Sequence, residues 1–200
     1  MRIPFVSNGQ TAPEPAGSIK DEVLMLEVRA GQIGKLAILF ERHHRQLFSF
    51  FYHLTGSREL SEDLVQDVFF RLLKFRETYV PKTSFSAWMY QVARNAHIDA
   101  FRKRKGETAW PESKPEPASP EPHIEERLRR RQDIALLQKA LSALPADKRE
   151  VLVLSRYQNL KYHEIGEILG CEVGAVKLRV YRAVRALGQI FAEMSGERAS

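Results

Sequence analysis

Apolar residues recur along most of this chain at spacings of three and four, and almost nowhere do they alternate with polar ones. That is the period of helices buried on one face, not of half-buried strands. The pattern predicts helices over 21–30, 33–55, 60–77 and 84–104, and then over 124–143, 147–158, 162–169 and 173–192. Breakers agree with it. Gly56 and Ser57 separate the second helix from the third, Pro81 the third from the fourth, and Pro145 ends the fifth. Ser57 or Ser61 is placed to cap the third helix and Ser84 the fourth. Asp147 with Glu150 has the spacing of a capping box for the sixth.

Two stretches lack the pattern. Residues 1–20 are polar and rich in Pro and Gly, and are expected to form a disordered leader. Residues 106–123, GETAWPESKPEPASPEPH, hold five of the ten prolines and are expected to form a semi-rigid linker. The fold class that follows is all-α: two small helical domains, 21–105 and 124–192, joined by that Pro-rich linker, with a tail over 193–200. Domains of this size fold alone.

Composition changes this picture little. Of the 200 residues 44% are hydrophobic and 28% charged, ordinary for a globular protein. Lys and Arg number 31 against 25 Asp and Glu, and the net charge of +6 suits a polyanionic partner. The single Cys171 forms no internal disulfide, and the six histidines show no zinc spacing. No signal peptide and no apolar run of about 18 residues is present, so a cytoplasmic protein without membrane insertion is expected.

The stretch KYHEIGEILGCEVGAVKLRVYRAVRALGQIF reads as a short helix, a turn at Gly170-Cys171, and a long helix. At about 100° per residue, Val176, Val180, Val184 and Leu187 fall in one narrow, buried stripe. Gly174, Ala175, Leu178, Tyr181, Arg182 and Arg185 fall opposite, with Lys177 and Arg179 on the flanks. That layout suits a helix in a DNA major groove. The small residues allow close approach, Arg182 reaches a base edge or phosphate, and the other cations meet the groove walls. Leu178 would pack on a thymine methyl. The plainer alternative is an amphipathic helix with a solvated basic face, but the short-helix, turn, long-helix unit and the absence of acids from Val173 to Gln189 weigh against it. His163-Glu164 is not a metalloprotease motif, because Glu167 stands where the second His is required.

The fourth helix, SFSAWMYQVARNAHIDAFRKRK, is expected to bury Phe85, Met89, Val92, Ala96 and Ala100. Trp88, Gln91, Asn95 and Arg102 line another stripe, and the helix ends in Arg102, Lys103, Arg104 and Lys105. Rings, amides and cations so interleaved suit an unpaired nucleic-acid strand; a helix sandwiched between neighbours would carry the same aromatics. In SEDLVQDVFFRLL, Leu60 (just before it), Leu64, Val65, Val68 and Leu72 form the buried stripe, with Phe69 at its edge and Arg71 anomalously within its range. Asp63, Gln66, Asp67, Phe70 and Lys74 share the other side. Acids around an exposed ring repel DNA but suit a basic protein surface.

Three segments, SEDLVQDVFFRLLKF, FSAWMYQVARNAHIDAFRKRK and LPADKREVLVLSRYQNLKYHEIGEILGCEVGAVKLRVYRA, in this order and spacing resemble bacterial RNA polymerase sigma factors of the extracytoplasmic-function (ECF, group IV) type. The resemblance covers 21–105 and 125–192 and implies a sigma-2 domain, a linker and a sigma-4 domain, with sigma-3 missing. It implies that Asp63, Gln66, Asp67 and Phe70 grip core RNA polymerase. It also implies that the loop over 78–84 and the start of the next helix capture a flipped base of the melted −10 element. Lys82, Ser84, Phe85, Trp88, Gln91 and Asn95 would line that site, with Arg102, Lys103 and Arg104 on the duplex upstream. Gly174, Ala175, Lys177, Leu178, Arg179, Tyr181, Arg182 and Arg185 would read the duplex −35 element. The family further implies an anti-sigma factor as partner and neither enzymatic activity, small-molecule substrate, cofactor nor metal. Leu178 and His163 depart from the family pattern and leave the −35 sequence open. An 18-residue linker reaches about 60 Å against roughly 70 Å for two duplex turns, so both domains fit one promoter. Two rivals stand beside this reading. One is a stand-alone helix-turn-helix regulator. The other is a metal-dependent nuclease using Glu62, Asp63 and Asp67, whose directions diverge on the helix.

Overall fold

The computed structural model describes residues 19–82, 84–105, 124–158 and 160–196, with backbone alone at 104–105 and 124–132. Helices run over Asp21–Arg29 (α1), Lys35–Thr55 (α2), Arg58–Lys74 (α3), Phe85–Lys105 (α4), Ile124–Ala143 (α5), Ala146–Arg156 (α6), Tyr162–Leu169 (α7) and Val173–Ser195 (α8). A single 3-10 turn at Arg76–Thr78 follows α3, and no strand occurs among the described residues. The expected leader up to residue 18, the expected linker over 106–123, and residues 197–200 lie outside the described residues.

The first four helices pack through the stripes their spacing predicts. α2 buries Leu39, Leu47, Phe50, Phe51 and Leu54; α3 buries Leu60, Leu64, Val65, Val68, Phe69 and Leu72. Each such side chain contributes roughly 1.5–3 kcal/mol by leaving water. Phe50 meets both Phe51 and Tyr90 edge to face, with ring centroids 5.2 Å apart in each pair. Ser57 accepts from the Leu60 amide and Ser84 from the Ala87 amide, so both expected serine caps form. Arg71 sits in the buried stripe of α3 because its guanidinium bridges Asp67 on its own helix at 2.9 Å and Asp99 of α4 at 2.7 Å. α1 is tied to α2 by Asp21, which meets Arg42 at 2.6 Å and His43 at 2.5 Å. Burial opposes ionisation of Asp21, yet the bonds to His43 and Arg42 hold its carboxyl below the ordinary value.

In the second group, α6 buries four consecutive residues, Val151, Leu152, Val153 and Leu154. Four consecutive residues point to all sides of a helix, and this part of α6 is packed among α2, α7 and α8. The expected Asp147–Glu150 capping box does not form. α6 starts at Ala146 with Pro145 as its N-cap, which leaves Asp147 inside the first turn, and the Glu150 carboxylate turns instead to Arg94 of α4 at 3.0 Å. Between α7 and α8 the chain reverses at Gly170, whose φ of 64° is left-handed and favours glycine. Gly166 is also required, since a Cβ there would meet the Cys171 carbonyl oxygen at 2.7 Å. α8 buries Val176, Val180, Ala183 and Leu187; Val184, expected in the stripe, is half-buried beside it.

The two groups are packed on one another. Arg149 of α6 donates to the carbonyls of Leu54 (2.7 Å), Leu144 (3.0 Å) and Ser142. One guanidinium thus satisfies orphan acceptors at the C-terminal ends of α2 and α5, where the helix dipoles favour a cation. Tyr90, fully buried, donates its hydroxyl to Gln158 at 2.6 Å. His53 lies 3.1 Å from the Gln138 side-chain oxygen, and its ring centroid lies 3.8 Å from that of Tyr157; burial lowers its pKa. His97 is pushed down to about 4, by burial and by Arg149 beside it.

A histidine held neutral in the packed state and near 6.5 when released destabilises that state on acidification. The contribution of His97 to the packing is fully present above about pH 6.5 and falls away as pH drops toward 4, by about 3 kcal/mol. Lowering pH from 7.5 to 5 is therefore expected to lower the thermal midpoint and to raise the radius of gyration by small-angle scattering. His97→Gln should remove most of this slope, and it separates His97 from Glu150, whose buried carboxyl is pushed up and titrates with the opposite sign.

Candidate nucleic-acid interface

Three surfaces carry the expected site residues. On α8, Gly174, Lys177, Leu178, Arg179, Tyr181, Arg182 and Arg185 are all exposed, opposite the buried stripe, and Ala175 is half-buried. The Arg185 guanidinium lies 6.0 Å from the Tyr181 ring centroid, which orders a cation on a flat face. Leu178 is 48% exposed with cations on either side. The helix begins without a side-chain cap at Glu172, so that side chain takes none of the first-turn amide donors that a helix start leaves without intrahelical partners.

On α4 the structure buries Phe85, as the helical period expects, and also Trp88, which the period leaves outside the stripe, so neither ring is open to a strand in the way the resemblance implies. Phe85 is fully buried and Trp88 is 9% exposed. Both rings belong to the core, packed on Tyr79 with centroids 6.4 and 5.1 Å away. The reason is local. The chain entering α4 folds Tyr79 inward, and Phe85 and Trp88, three apart on one face, close over it. Lys82, Asn95, Arg102 and Lys103 are exposed, as is Phe101; the Arg104 side chain lies outside the described residues.

The remaining α4 groups are engaged by the second group of helices. Ser84 donates to Glu164 at 3.0 Å, and the Gln91 amide donates to the Glu167 carbonyl at 2.9 Å. Arg94 pairs with Glu150. The other Glu164 oxygen accepts from the Lys161 amide at 2.8 Å, capping α7. Between α4 and the end of α7 lies an open cleft of about 340 Å³ lined by Gln91, Arg94, Asn95, Glu167, Leu169 and Gly170. These partners of α4 were missed from sequence. Only Glu164, an acid three residues into a short helix, carried a local signal, and that signal was its capping role.

On α3, Asp63 and Gln66 are exposed and Phe70 is 64% exposed, the ring standing out from the helix. Asp67 shares this face, with one carboxylate oxygen held by Arg71. The three acids Glu62, Asp63 and Asp67 do not converge, and among the described residues no three His, Cys, Asp or Glu side chains gather as metal ligands would. No helix of the described residues is long and apolar enough to cross a membrane.

Residues 39–107 match the family described as Sigma-70 region 2, and residues 134–187 the family described as Sigma-70, region 4. RNA polymerase sigma factor CarQ of Myxococcus xanthus is 33% identical over 161 residues, covering 80% of this chain and 90% of CarQ. ECF RNA polymerase sigma factor SigE of Mycolicibacterium smegmatis is 31% identical over 163 residues; the match covers 80% of this chain but only 63% of SigE. Among solved structures, CnrH in complex with the cytosolic domain of CnrY aligns with a TM-score of 0.66 at 22% identity, covering 86% of this chain and 97% of that one. Sigma factor RpoE of Bartonella quintana, crystallised with the anti-sigma factor NepR, aligns at 0.63 with 24% identity, covering 77% and 94%. These two likenesses are of fold. With both regions matched in order, the first running through α4 and the second ending within α8, and with CarQ similar over most of both chains, this protein belongs to the sigma-70 family, as an RNA polymerase sigma factor of the extracytoplasmic-function type.

Proposed function

We propose that the chain docks on core RNA polymerase through α3 and directs it to promoters by reading duplex −35 DNA with α8 and the melted −10 strand with α4 and the loop before it. The observation that carries this is the exposed face of α8, where four cations and Leu178 stand opposite the buried stripe on the second helix of a helix-turn-helix. The stand-alone regulator leaves the protruding Phe70 and its acidic rim without a task. No covalent step is needed: extruding a base costs a few kcal/mol, which pocket contacts and polymerase docking offset.

The packed arrangement has a direct consequence. Ser84, Gln91 and Arg94 give their donors to acceptors of α6 and α7, the kind of acceptor a nucleic-acid strand offers. One set of donors serves one partner at a time, so promoter engagement requires α7 to leave α4. Since CnrH and the Bartonella RpoE are each seen with a protein bound, CnrY and the anti-sigma factor NepR, this chain is proposed to be held by an anti-sigma factor as well.

Run-off transcription with purified core polymerase on a promoter library tests the reading. Initiation is expected at sites sharing one −35/−10 pair, and failure to initiate anywhere overturns it. Phe70→Ala and Asp63→Arg should each weaken core binding by about tenfold or more with an unchanged thermal midpoint; unaltered affinity removes α3 from the polymerase interface. Leu178→Ser is expected to change the base preferred at one −35 position while core affinity stays the same, read by the same library.

A further inference from the structure

The segment between the 3-10 turn and α4 is held at both ends by α1. The Arg29 guanidinium donates to the Tyr79 carbonyl at 3.0 Å and lies 4.0 Å from Glu77. Seven residues earlier, the Glu22 carboxylate accepts from the Phe85 amide at 3.1 Å. That amide is one of the orphan donors that open α4, and a carboxylate there also meets the positive end of the helix dipole. Ser84 satisfies a neighbouring donor from inside the loop, so Glu22 is a second cap, supplied from a different helix.

Seven residues are nearly two helical turns. Glu22 and Arg29 therefore lie about 20° apart around α1 and about 10 Å apart along it. A carboxylate at one end binds an amide, and a guanidinium at the other binds a carbonyl. α1 is thus a strut of set length between Tyr79 and Phe85. It is itself seated on α2 by Asp21 and by a Glu27–Lys35 pair at 3.1 Å. Between the two anchor points Tyr79 turns fully inward, while Val80, Pro81 and Lys82 stand exposed. Burial, then Glu22 and Asp21, push the Tyr79 hydroxyl up to about 12, in keeping with those carboxylates facing it.

We infer that Glu22 and Arg29 are positioning residues for base selection: by bracing both ends of this loop, α1 sets the shape in which its exposed tip meets an unpaired base. Neither touches the nucleic acid. The inference rests on the reading of this loop as the −10 element's contact. Val80, Pro81 and Lys82, with the chain pinned at Tyr79 before them and at Phe85 beyond, sample fewer shapes than an untethered stretch would, and base discrimination by a few hydrogen bonds requires placement to within about half an ångström. Released at one end, the loop still binds the strand but distinguishes bases less well.

The test uses the full chain with core polymerase and promoters varied at each −10 and each −35 position. Glu22→Ala and Arg29→Met, the latter keeping the aliphatic stem, should each reduce −10 discrimination by about fivefold or more. Core affinity and −35 discrimination should stay within about twofold. Glu22→Gln keeps an acceptor oxygen and should restore the wild-type ratio. A parallel fall in −10 and −35 discrimination marks a merely structural role and overturns the inference, as does unchanged −10 discrimination or a Glu22→Gln variant as poor as Glu22→Ala. If the wild-type chain transcribes but shows no −10 preference at all, the reading of the loop falls, and the inference with it.

Discussion

Helix α4 is covered from two directions, and much else in the molecule follows from that. Its apolar side, with Phe85 packed on His43 and Tyr79, seats it on the first group of helices, while Ser84, Tyr90, Gln91 and Arg94 bond to the second. The second set is polar, and polar contacts between helices exchange readily for polar contacts with another partner, because the net value of each is only about 1 kcal/mol. The first set is apolar and has no such substitute. α4 therefore stays in its own bundle and can give up the other.

The surfaces proposed for polymerase and for −35 DNA are more open: of Asp63, Gln66, Asp67 and Phe70 on α3, only Asp67 is engaged, by Arg71 of the same helix. Phe70 projects from α3, and the basic face of α8 is exposed, each on the side away from its helix's buried stripe. The interface between the two groups is set apart by its chemistry. Arg149 binds three carbonyls, and His53 and His97 are kept neutral by burial, so this contact responds to protonation and to a cation's placement more than a hydrocarbon seam would.

Most of the helices and their buried faces were legible in the sequence, because helical period and capping serines are local signals. The buried stripe of α3 and the exposed faces of α3 and α8 came from 100° geometry alone. The period puts Phe85 in the buried stripe, as found, but leaves Trp88 outside it for a physical reason: periodicity separates faces of a helix but does not say how many neighbours cover it. Tyr79, outside the helix, decides the matter by turning inward. Asp147 and Glu150 had the spacing of a capping box, yet Pro145 starts the helix earlier and a partner 56 positions away, Arg94, takes Glu150. Arg71 looked like a flaw in the stripe until Asp99 supplied its counter-ion. For Glu150 and Arg71 the deciding group, Arg94 or Asp99, is distant in sequence, and no local pattern reports it.

In the proposed mode of action, α7 and the promoter strand occupy the same side of α4 in turn. A short thiol cross-link between Gln91→Cys and Glu167→Cys, in a chain carrying Cys171→Ser, measures it directly by run-off transcription before and after reduction. The account predicts that the locked chain fails to initiate and that reductant restores synthesis to the level of the uncross-linked variant. Full initiation by the locked chain would contradict it.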